Sequence, residues 1–310
     1  MAATGSVEAT RPVAEKRGRS HRAPVFTPYL FLAVPVIMFL IWVIGPMFYS
    51  FYLSLTNWDG ISAPQYIGFA NYQRLFKDPL FYTSIGNNIK WLVSFITVPV
   101  ALGLALAMAL NRNLPGARGI KSAIYSPYIL APVIIGLIFG WIYLPVQGML
   151  NTFLRTVGLG ALQQGWLANP ALATWCIIAA AIWRQVGYIM VLYLAGLQGV
   201  DPTLIDAAKV DGANGWQQFR NVIWPLLAPV TIIVVVISVI DSLRSFDLVY
   251  IMTRGGPANA SSVMATFMYI EAFNNYKMGY GATIAVVLFL LTSIFIFIYL
   301  WRVMQDELEY

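Results

Sequence analysis

Residues 206–229 read DAAKVDGANGWQQFRNVIWPLLAP, a polar stretch broken by Gly212 and Gly215 that lies between two long apolar runs, 171–197 and 226–252. The break separates those runs into two segments that each belong in lipid, with a piece of chain between them that belongs in water. The remainder of the sequence repeats that alternation. Hydrophobic residues are 59% of the chain and charged residues 10%, against roughly one quarter charged in a soluble domain.

Apolar runs of about 20 residues, long enough for a hydrocarbon core of roughly 30 Å, occur at 29–53, 85–110, 120–144, 171–197, 226–252 and 281–304. None alternates with the two-residue period of a transmembrane strand, so helices are the reading that satisfies the backbone in lipid. The expected fold is an all-α polytopic membrane protein with six transmembrane helices. The first run is too long for a cleaved leader and has no small-x-small site after it, so it is expected to remain as a span.

Inventory excludes several chemistries. Cys176 is the only cysteine and His21 the only histidine, which leaves no disulfide within the chain, no Cys/His zinc cluster and no histidine-based triad. The segment Gly116-Ala-Arg-Gly-Ile-Lys-Ser122 lacks the adjacent Gly-Lys and the spacing of a phosphate loop. The net charge of +6 is not arranged as a nucleic-acid groove. Arg11, Lys16, Arg17, Arg19 and Arg22 precede the first run, and Arg112, Arg118 and Lys121 lie between the second and third. By the positive-inside rule both places are cytoplasmic. Six spans then put Lys209 and Arg220, and the acidic C-terminus, on the same side. The expected organisation is a cytoplasmic, disordered tail over 1–28, a six-helix domain over 29–304 whose loop 200–225 is cytoplasmic, and a cytoplasmic C-terminal tail over 305–310.

The opposite face is expected to carry two long loops, 56–82 and 145–170, with Trp58, Tyr82, Tyr143, Trp166 and Tyr280 as interfacial aromatics. Gly136 and Gly140, and Ala101, Ala105 and Ala109, have spacings that let helices approach closely; packing and a moving interface both remain open for them.

Within the opening segment, Asp201-Pro202 has the form of a helix start, with an acceptor at the cap and Pro at the first position. Leu204, Ile205, Ala208 and Val210 supply an apolar face until Asp211-Gly212 breaks it. Trp216, Phe219, Val222 and Ile223 then recur at helical spacing before Pro225. One reading is an amphipathic helix on the bilayer surface, but acids at 201, 206 and 211 are ill suited to anionic headgroups. Acids with small alanine neighbours suit a knob entering a groove in a protein partner.

Charges inside spans cost about 2.5–3.5 kcal/mol each at the centre on insertion scales, so they normally face protein or water. Asp241, Arg244 and Asp247 follow at intervals of three in the fifth run, and Arg184 and Gln185 lie in the fourth. With Ser238, Ser242, Ser245 and Phe246, and with Asn87 and Asn88 of the second run, they either line a polar passage or form an ion-paired cluster holding two helices together.

Nearly the whole chain resembles type I ABC importer permeases of the carbohydrate-uptake branch, the maltose-type and glycerol-phosphate-type group. The likeness rests on Asp206-Ala207-Ala208 with Asp211-Gly212-Ala213, Phe219 and Pro225, which looks like that family's cytoplasmic "EAA" loop. It also rests on Phe51-Tyr52-Leu53-Ser54-Leu55, Ile67-Gly68-Phe69-Ala70-Asn71-Tyr72, Trp166-Leu167, Leu194-Ala195-Gly196-Leu197-Gln198, Ser245-Phe246-Asp247 and the turn Thr253-Arg254-Gly255-Gly256-Pro257. The resemblance implies a multi-pass permease of a bacterial or archaeal cytoplasmic membrane that imports a sugar or oligosaccharide by alternating access. Glycerol phosphate or a sulfonated sugar is the alternative solute. It implies docking of ATPases on the loop between spans four and five, and an outer turn at Gly255, Gly256 and Pro257. The implied partners are a second, non-identical permease, two ATPase subunits and an extracytoplasmic solute-binding protein, with lipid around and no nucleic acid. No cofactor is expected in this chain; ATP and Mg belong to the ATPase. Trp183, Tyr188, Phe246 and Tyr250 are the aromatics available to stack on sugar. The chain departs from the family at Asp206, where Glu is usual, and at Val222 and Trp224. A different class, an ion-coupled carrier using Asp241 and Asp247, remains open on the residues alone.

Overall fold

The computed structural model describes residues 27–111 and 115–307, with side chains described from Phe31 to Trp301 outside 112–114 and also at Tyr29. The basic residues before Thr27, Arg112 and the last three residues lie outside that set. The chain divides into two compact units, 1–48 and 49–310. Within the first, α1 (Thr27–Phe39) runs through a π-helical turn, Leu40–Ile44, into α2 (Gly45–Ser54), which continues into the second unit. Pro46 has no amide to extend the helical ladder, and the turn before it is widened so that Gly45 N–H reaches the Leu40 carbonyl.

The second unit is almost wholly helical. A two-stranded clip pairs β1 (Thr56–Asn57) with β2 (Gln65–Tyr66) antiparallel, Thr56 opposite Tyr66. There follow α3 (Ala70–Leu75), α4 (Pro79–Leu110), α5 (Ala117–Ile129), α6 (Pro132–Ile142), α7 (Met149–Thr156) and a 3-10 turn at Gly160–Leu162. The long α8 (Ala173–Gln198) leads to α9 (Pro202–Val210) and α10 (Gly215–Gln218), then a π-helical turn at Phe219–Ile223. Last come α11 (Trp224–Leu226), α12 (Ala228–Leu243), α13 (Asp247–Met252), α14 (Met264–Tyr269) and α15 (Met278–Glu307).

Among the described residues four stretches are long and apolar enough to cross a membrane: Phe31–Ser54, Pro79–Leu110, Ala173–Gln198 and Met278–Trp301. Two bent pairs, Ala117–Ile129 with Pro132–Ile142 (98°) and Gly215–Leu226 with Ala228–Met252 (70°), raise the number to six if each is one span. The straight span expected over 120–144 is therefore two helices. Ala131, the residue before Pro132, is held extended at φ −58°, ψ 140°, the region proline imposes on its predecessor, and the helix cannot pass. The apolar run 226–252 is likewise interrupted, since α12 ends at Leu243 and α13 starts only at Asp247.

α8 is the axis on which the others assemble. A side chain at Gly103 of α4 would stand 2.6 Å from Ile189 Cγ2, one at Gly187 would run into the α5 backbone at Ile124, and one at Gly196 would stand 2.7 Å from Val230 Cγ2 of α12. Dispersion contact at such backbone separation drives helix association where lipid gives no hydrophobic gain. Gly136 does the same against Ile251, while Gly140 meets nothing. Ala101, Ala105 and Ala109 are exposed, so the small-residue face that α4 uses within this chain is Gly103 and Ala107, not that stripe.

Polar loops are pinned by single buried amides. Asn151 Nδ2 donates to the carbonyls of Pro145 (2.8 Å) and Gln164 (2.9 Å) while its Oδ1 accepts from Trp166 Nε1 (2.8 Å). At the start of the second unit, Thr283 Oγ1 donates to the Ser54 carbonyl (3.0 Å) and Asn71 Nδ2 to that of Thr56 (2.8 Å), fixing α15 and α3 to the end of α2.

Gly103→Val is expected to lower the thermal midpoint of the detergent-solubilised chain by several degrees, overpacking costing about 1–3 kcal/mol. Gly86→Ala, where a Cβ meets nothing within 4 Å, serves as the comparison and should leave the midpoint unchanged or slightly raised.

Candidate functional site

Two places gather the residues singled out by sequence. The first is the exposed segment from Asp201 to Pro225. Asp201 caps α9 by accepting from Thr203 N–H at 2.9 Å, with Pro202 at the first helical position. That bond holds the Asp201 carboxyl below the usual carboxylate range. Because this pKa is depressed, the cap contributes in full above the usual carboxylate range and is lost as pH falls below that range, through the lowered folded-state value.

The far end of α9 closes in a Schellman motif. Gly212 N–H donates to the Lys209 carbonyl (3.0 Å) and Ala213 N–H to the Ala208 carbonyl (2.9 Å), with Gly212 at φ +79°. The positive φ is what the Gly provides; a Cβ there would meet nothing within 4 Å. Asp206 pairs with Lys209 at 2.8 Å, both being well exposed, so the pair contributes little to stability. Ala207 is exposed and Ala208 half-buried. Val210, grouped by sequence with Leu204, Ile205 and Ala208, is 87% exposed and does not share their face.

After the break, Asn214 and Gln217 form a reciprocal capping box: Gln217 N–H donates to Asn214 Oδ1 (2.9 Å) and Asn214 N–H to Gln217 Oε1 (2.8 Å). The π-helical turn that follows ends where Trp224 N–H reaches the Phe219 carbonyl, one residue before Pro225. It turns Phe219 and Ile223 onto the buried cluster of Leu104, Ala107, Ile189, Tyr193, Leu197 and Leu227. The segment is thus exposed along α9 and anchored to α4 and α8 through two side chains.

The second place is a cavity of about 310 Å³ lined by Arg184, Gln185, Asp241, Arg244, Ser245, Phe246 and Asp247, with Trp91 and Phe95 among its walls. Gln185, 1% exposed, donates from Nε2 to Asp241 Oδ2 at 2.9 Å. The expected helix face of Asp241, Arg244 and Asp247 does not form. α12 stops after Leu243, Arg244 is its cap, and Asp247 opens α13. Among the described residues none of the three is in an ion pair. Arg184 instead lies 4.6 Å from the centre of the Tyr128 ring and donates to the Tyr128 carbonyl at 3.5 Å, while its Nε has no partner among the described residues.

Other candidates sit elsewhere. Ser238 and Ser242 are fully buried, and Ser242 Oγ donates back to the Val239 carbonyl. Asn87 Nδ2 donates to the carbonyls of Ala260 (2.7 Å) and Ser262 (2.8 Å), and Asn88 Oδ1 accepts from Met264 N–H (2.8 Å). These two amides tie α4 to the loop carrying Gly255, Gly256 and Pro257, where Gly255 has φ +86° and Thr253 Oγ1 and Ser261 Oγ are 2.7 Å apart. Tyr188 stacks on Tyr128 (4.3 Å), and Trp183 packs against Phe139 beside a separate apolar groove. Sequence reasoning missed Tyr128 and Trp91, which meet the cavity residues only through tertiary folding. It missed the Asn214 box too, although Asn-x-x-Gln was there to be read.

A family model described as the binding-protein-dependent transport system inner membrane component matches residues 23–308. A probable ABC transporter permease protein of Pyrococcus horikoshii is 35% identical over 283 residues, covering 90% of this chain and 97% of that protein. A probable starch degradation products transport system permease protein of Thermoanaerobacterium thermosulfurigenes is 32% identical over 281 residues, covering 91% and 95%. Among solved structures, a chain of a bacterial alginate ABC transporter in complex with alginate pentasaccharide-bound periplasmic protein superposes with a TM-score of 0.78 at 21% identity, covering 88% of this chain and 92% of that one. At that identity the likeness is one of fold.

Asn214→Ala removes one half of the capping box and is expected to cost about 0.5–2 kcal/mol locally. Hydrogen exchange should show faster exchange at the Gln217 amide, with protection in α8 unchanged.

Proposed function

This chain belongs to the family of binding-protein-dependent transport system inner membrane components, and we propose that it is the permease subunit of an ATP-driven importer of sugars or oligosaccharides. The observation that carries the solute class is the cavity at the break between α12 and α13, where the Gln185–Asp241 pair stands beside the Phe246 ring. Hydroxyl-binding polar groups next to aromatic faces are what a sugar requires of a dry site. The relative named for starch degradation products lends support.

In this reading each bent pair is one span, giving six, with both termini and the loop 200–225 cytoplasmic, a tail over 1–28 and a permease domain over 29–304. The loop receives two ATPase subunits, which bring ATP and Mg; this chain supplies no hydrolytic chemistry. Asp206, Ala207 and Ala208 form the docking shoulder, and Asp211, Gly212 and Ala213 the turn that presents it. Phe219 carries its displacement into the core and Pro225 fixes the bend that leads into α12. A second, non-identical permease completes the path, and an extracytoplasmic binding protein delivers solute near Gly255, Gly256 and Pro257. Arg184, Asp241, Arg244, Ser245, Phe246 and Asp247 face the solute, whereas Asn87 and Asn88 hold α4 to the outer loop and Ser238 and Ser242 lie buried within α12.

Movement has a continuous route. Phe219 and Ile223 press on α4 and α8, and Leu227 and Val230 sit in the notch left by Gly196. A shift of α9 therefore moves α12 against α8, the two helices that meet at the Gln185–Asp241 pair. A second reading, an anionic solute such as glycerol phosphate or a sulfonated sugar, rests on Arg184 and Arg244, neither of which is ion-paired among the described residues.

Gly212→Val forces a branched residue into the left-handed region, at a cost of about 1–2 kcal/mol, and should misplace the shoulder. The assembled complex is expected to lose uptake about tenfold while the ATPase subunits keep their basal turnover. Gly212→Asn, which tolerates that conformation, should restore most of it. Unchanged uptake by a correctly assembled Gly212→Val complex would overturn the coupling assignment.

A further inference from the structure

The segment between α6 and α8 is built inside out. Its polar groups turn inward: Asn151 of α7, 2% exposed, donates to the Pro145 and Gln164 carbonyls and accepts from Trp166 Nε1, while Gln163 Nε2 donates to the Asn151 carbonyl (2.8 Å). Its apolar side chains turn outward. Met149, Phe153 and Val157 follow at intervals of four along α7 and its cap, and they are 67%, 60% and 49% exposed. Val146 ahead of them, and Leu159 and Leu162 behind, are exposed as well. Water gives no reason for such an arrangement, and a contiguous apolar patch marks a surface that something covers.

Two observations place that surface at a membrane boundary. Gly148 folds the chain back on the end of α6: its N–H donates to the Leu144 carbonyl (3.1 Å), and a Cβ there would run into the same oxygen. Asn151 meanwhile ties α7 to Gln164 and Trp166, shortly before α8 begins at Ala173. α7 is therefore held at the end of α8 away from α9, and cannot stand off in water from the helices it joins. Charge decides which occupant fits. Between Tyr143 and Asn169 the only charged residue is Arg155, on the side of α7 away from the Met149–Phe153 stripe, and there is no carboxylate. The other long loop, 56–82, carries Asp59, Arg74, Lys77 and Asp78, the mixed charge of a rim that meets a soluble protein. An apolar face with no anion near it suits the headgroup–acyl boundary of a bilayer.

We infer that α7 lies in the plane of the bilayer, with Met149, Phe153 and Val157 sunk in the boundary of the leaflet away from α9, and that it anchors that end of α8 in lipid. The inference goes beyond the importer reading and holds whatever the solute. It gives α8 unequal ends. At one end the helix is tied through Trp166 and Asn151 to an element fixed in lipid, and at the other it passes into the exposed α9. A push arriving at α9 then displaces α12 against a held α8 instead of carrying the whole group of helices with it.

The test places a nitroxide on single cysteines, Met149→Cys, Phe153→Cys, Val157→Cys and Arg155→Cys, in a Cys176→Ala background that retains uptake. The complete complex is studied in proteoliposomes, with and without its binding protein, and each label's collisions with oxygen and with a water-soluble nickel chelate are compared. At 149, 153 and 157 oxygen is expected to dominate, as in lipid, and at 155 the chelate. Low collision with both reagents at the first three positions would mean that protein covers them and would overturn the anchor; the binding protein is the cover if this arises only on its addition, the second permease if it is there without it. Dominance of the chelate would leave the stripe in water and overturn it too. A second arm uses uptake. Phe153→Lys, whose long side chain can reach the headgroups, is expected to stay within about twofold of wild type, and Phe153→Asp to fall on the order of fivefold. Equal effects of the two, whether loss or none, would contradict an anchor in lipid.

Discussion

The close approach of helices to α8 is the constraint on which the rest depends. Gly187 brings the α5 backbone against it at Ile124, Gly103 lets Ile189 reach into α4, and Gly196 admits Leu227 and Val230. Lipid tails are as apolar as leucine, so helix association in a membrane has to come from such contact at short range. One geometric consequence is functional. With α4 and α12 held this near, Gln185 reaches Asp241, and a carboxylate that would be costly alone in the interior has a donor. The polar cavity exists because small residues elsewhere on the same helix allow its walls to come together.

Two of the π-helical turns, Leu40–Ile44 and Phe219–Ile223, stand just ahead of a proline, Pro46 and Pro225. The wider turn shifts the register of every side chain after it. In the second instance that shift sets Phe219 and Ile223 on the core while α9 stays exposed. An exposed helix with a two-residue anchor is well placed to transmit a push, because its own face is free and its attachment is to the helices that form the cavity.

Much of this was legible in the sequence. The apolar runs located the long helices, and Asp201-Pro202 and Gly212 marked the ends of α9, since caps and left-handed glycines are local chemistry. The breaks at Leu130–Ala131 and Arg244–Phe246 were obscured because apolar composition continues through them, although Pro132 was a signal for the first. Pairing among Asp241, Arg244 and Asp247, one of the two arrangements the sequence left open, is absent among the described residues for that reason: three-residue spacing brings side chains together only on an unbroken helix. Polarity singles out Asn87 and Asn88 but not their partners: Asn87 Nδ2 donates to the Ala260 carbonyl, Asn88 Nδ2 to that of Leu243, and Asn88 Oδ1 accepts from Met264 N–H, each more than 150 residues away. Tyr128, 56 residues from Arg184 in sequence, is hidden beneath it in the same way. A polar residue in a span announces that it has a partner, and only the tertiary fold says which.

The central claim is that motion enters at α9 from an ATP-consuming partner and leaves at the Asp241 cavity. The rival is a carrier in which Asp241 and Asp247 exchange an ion for the solute. The two differ in what drives uptake. In proteoliposomes holding the complete complex, with ATP supplied on the α9 side and ion gradients collapsed by ionophores, the account predicts accumulation undiminished from that with gradients intact. Accumulation that falls to background while ATP is still present would contradict it.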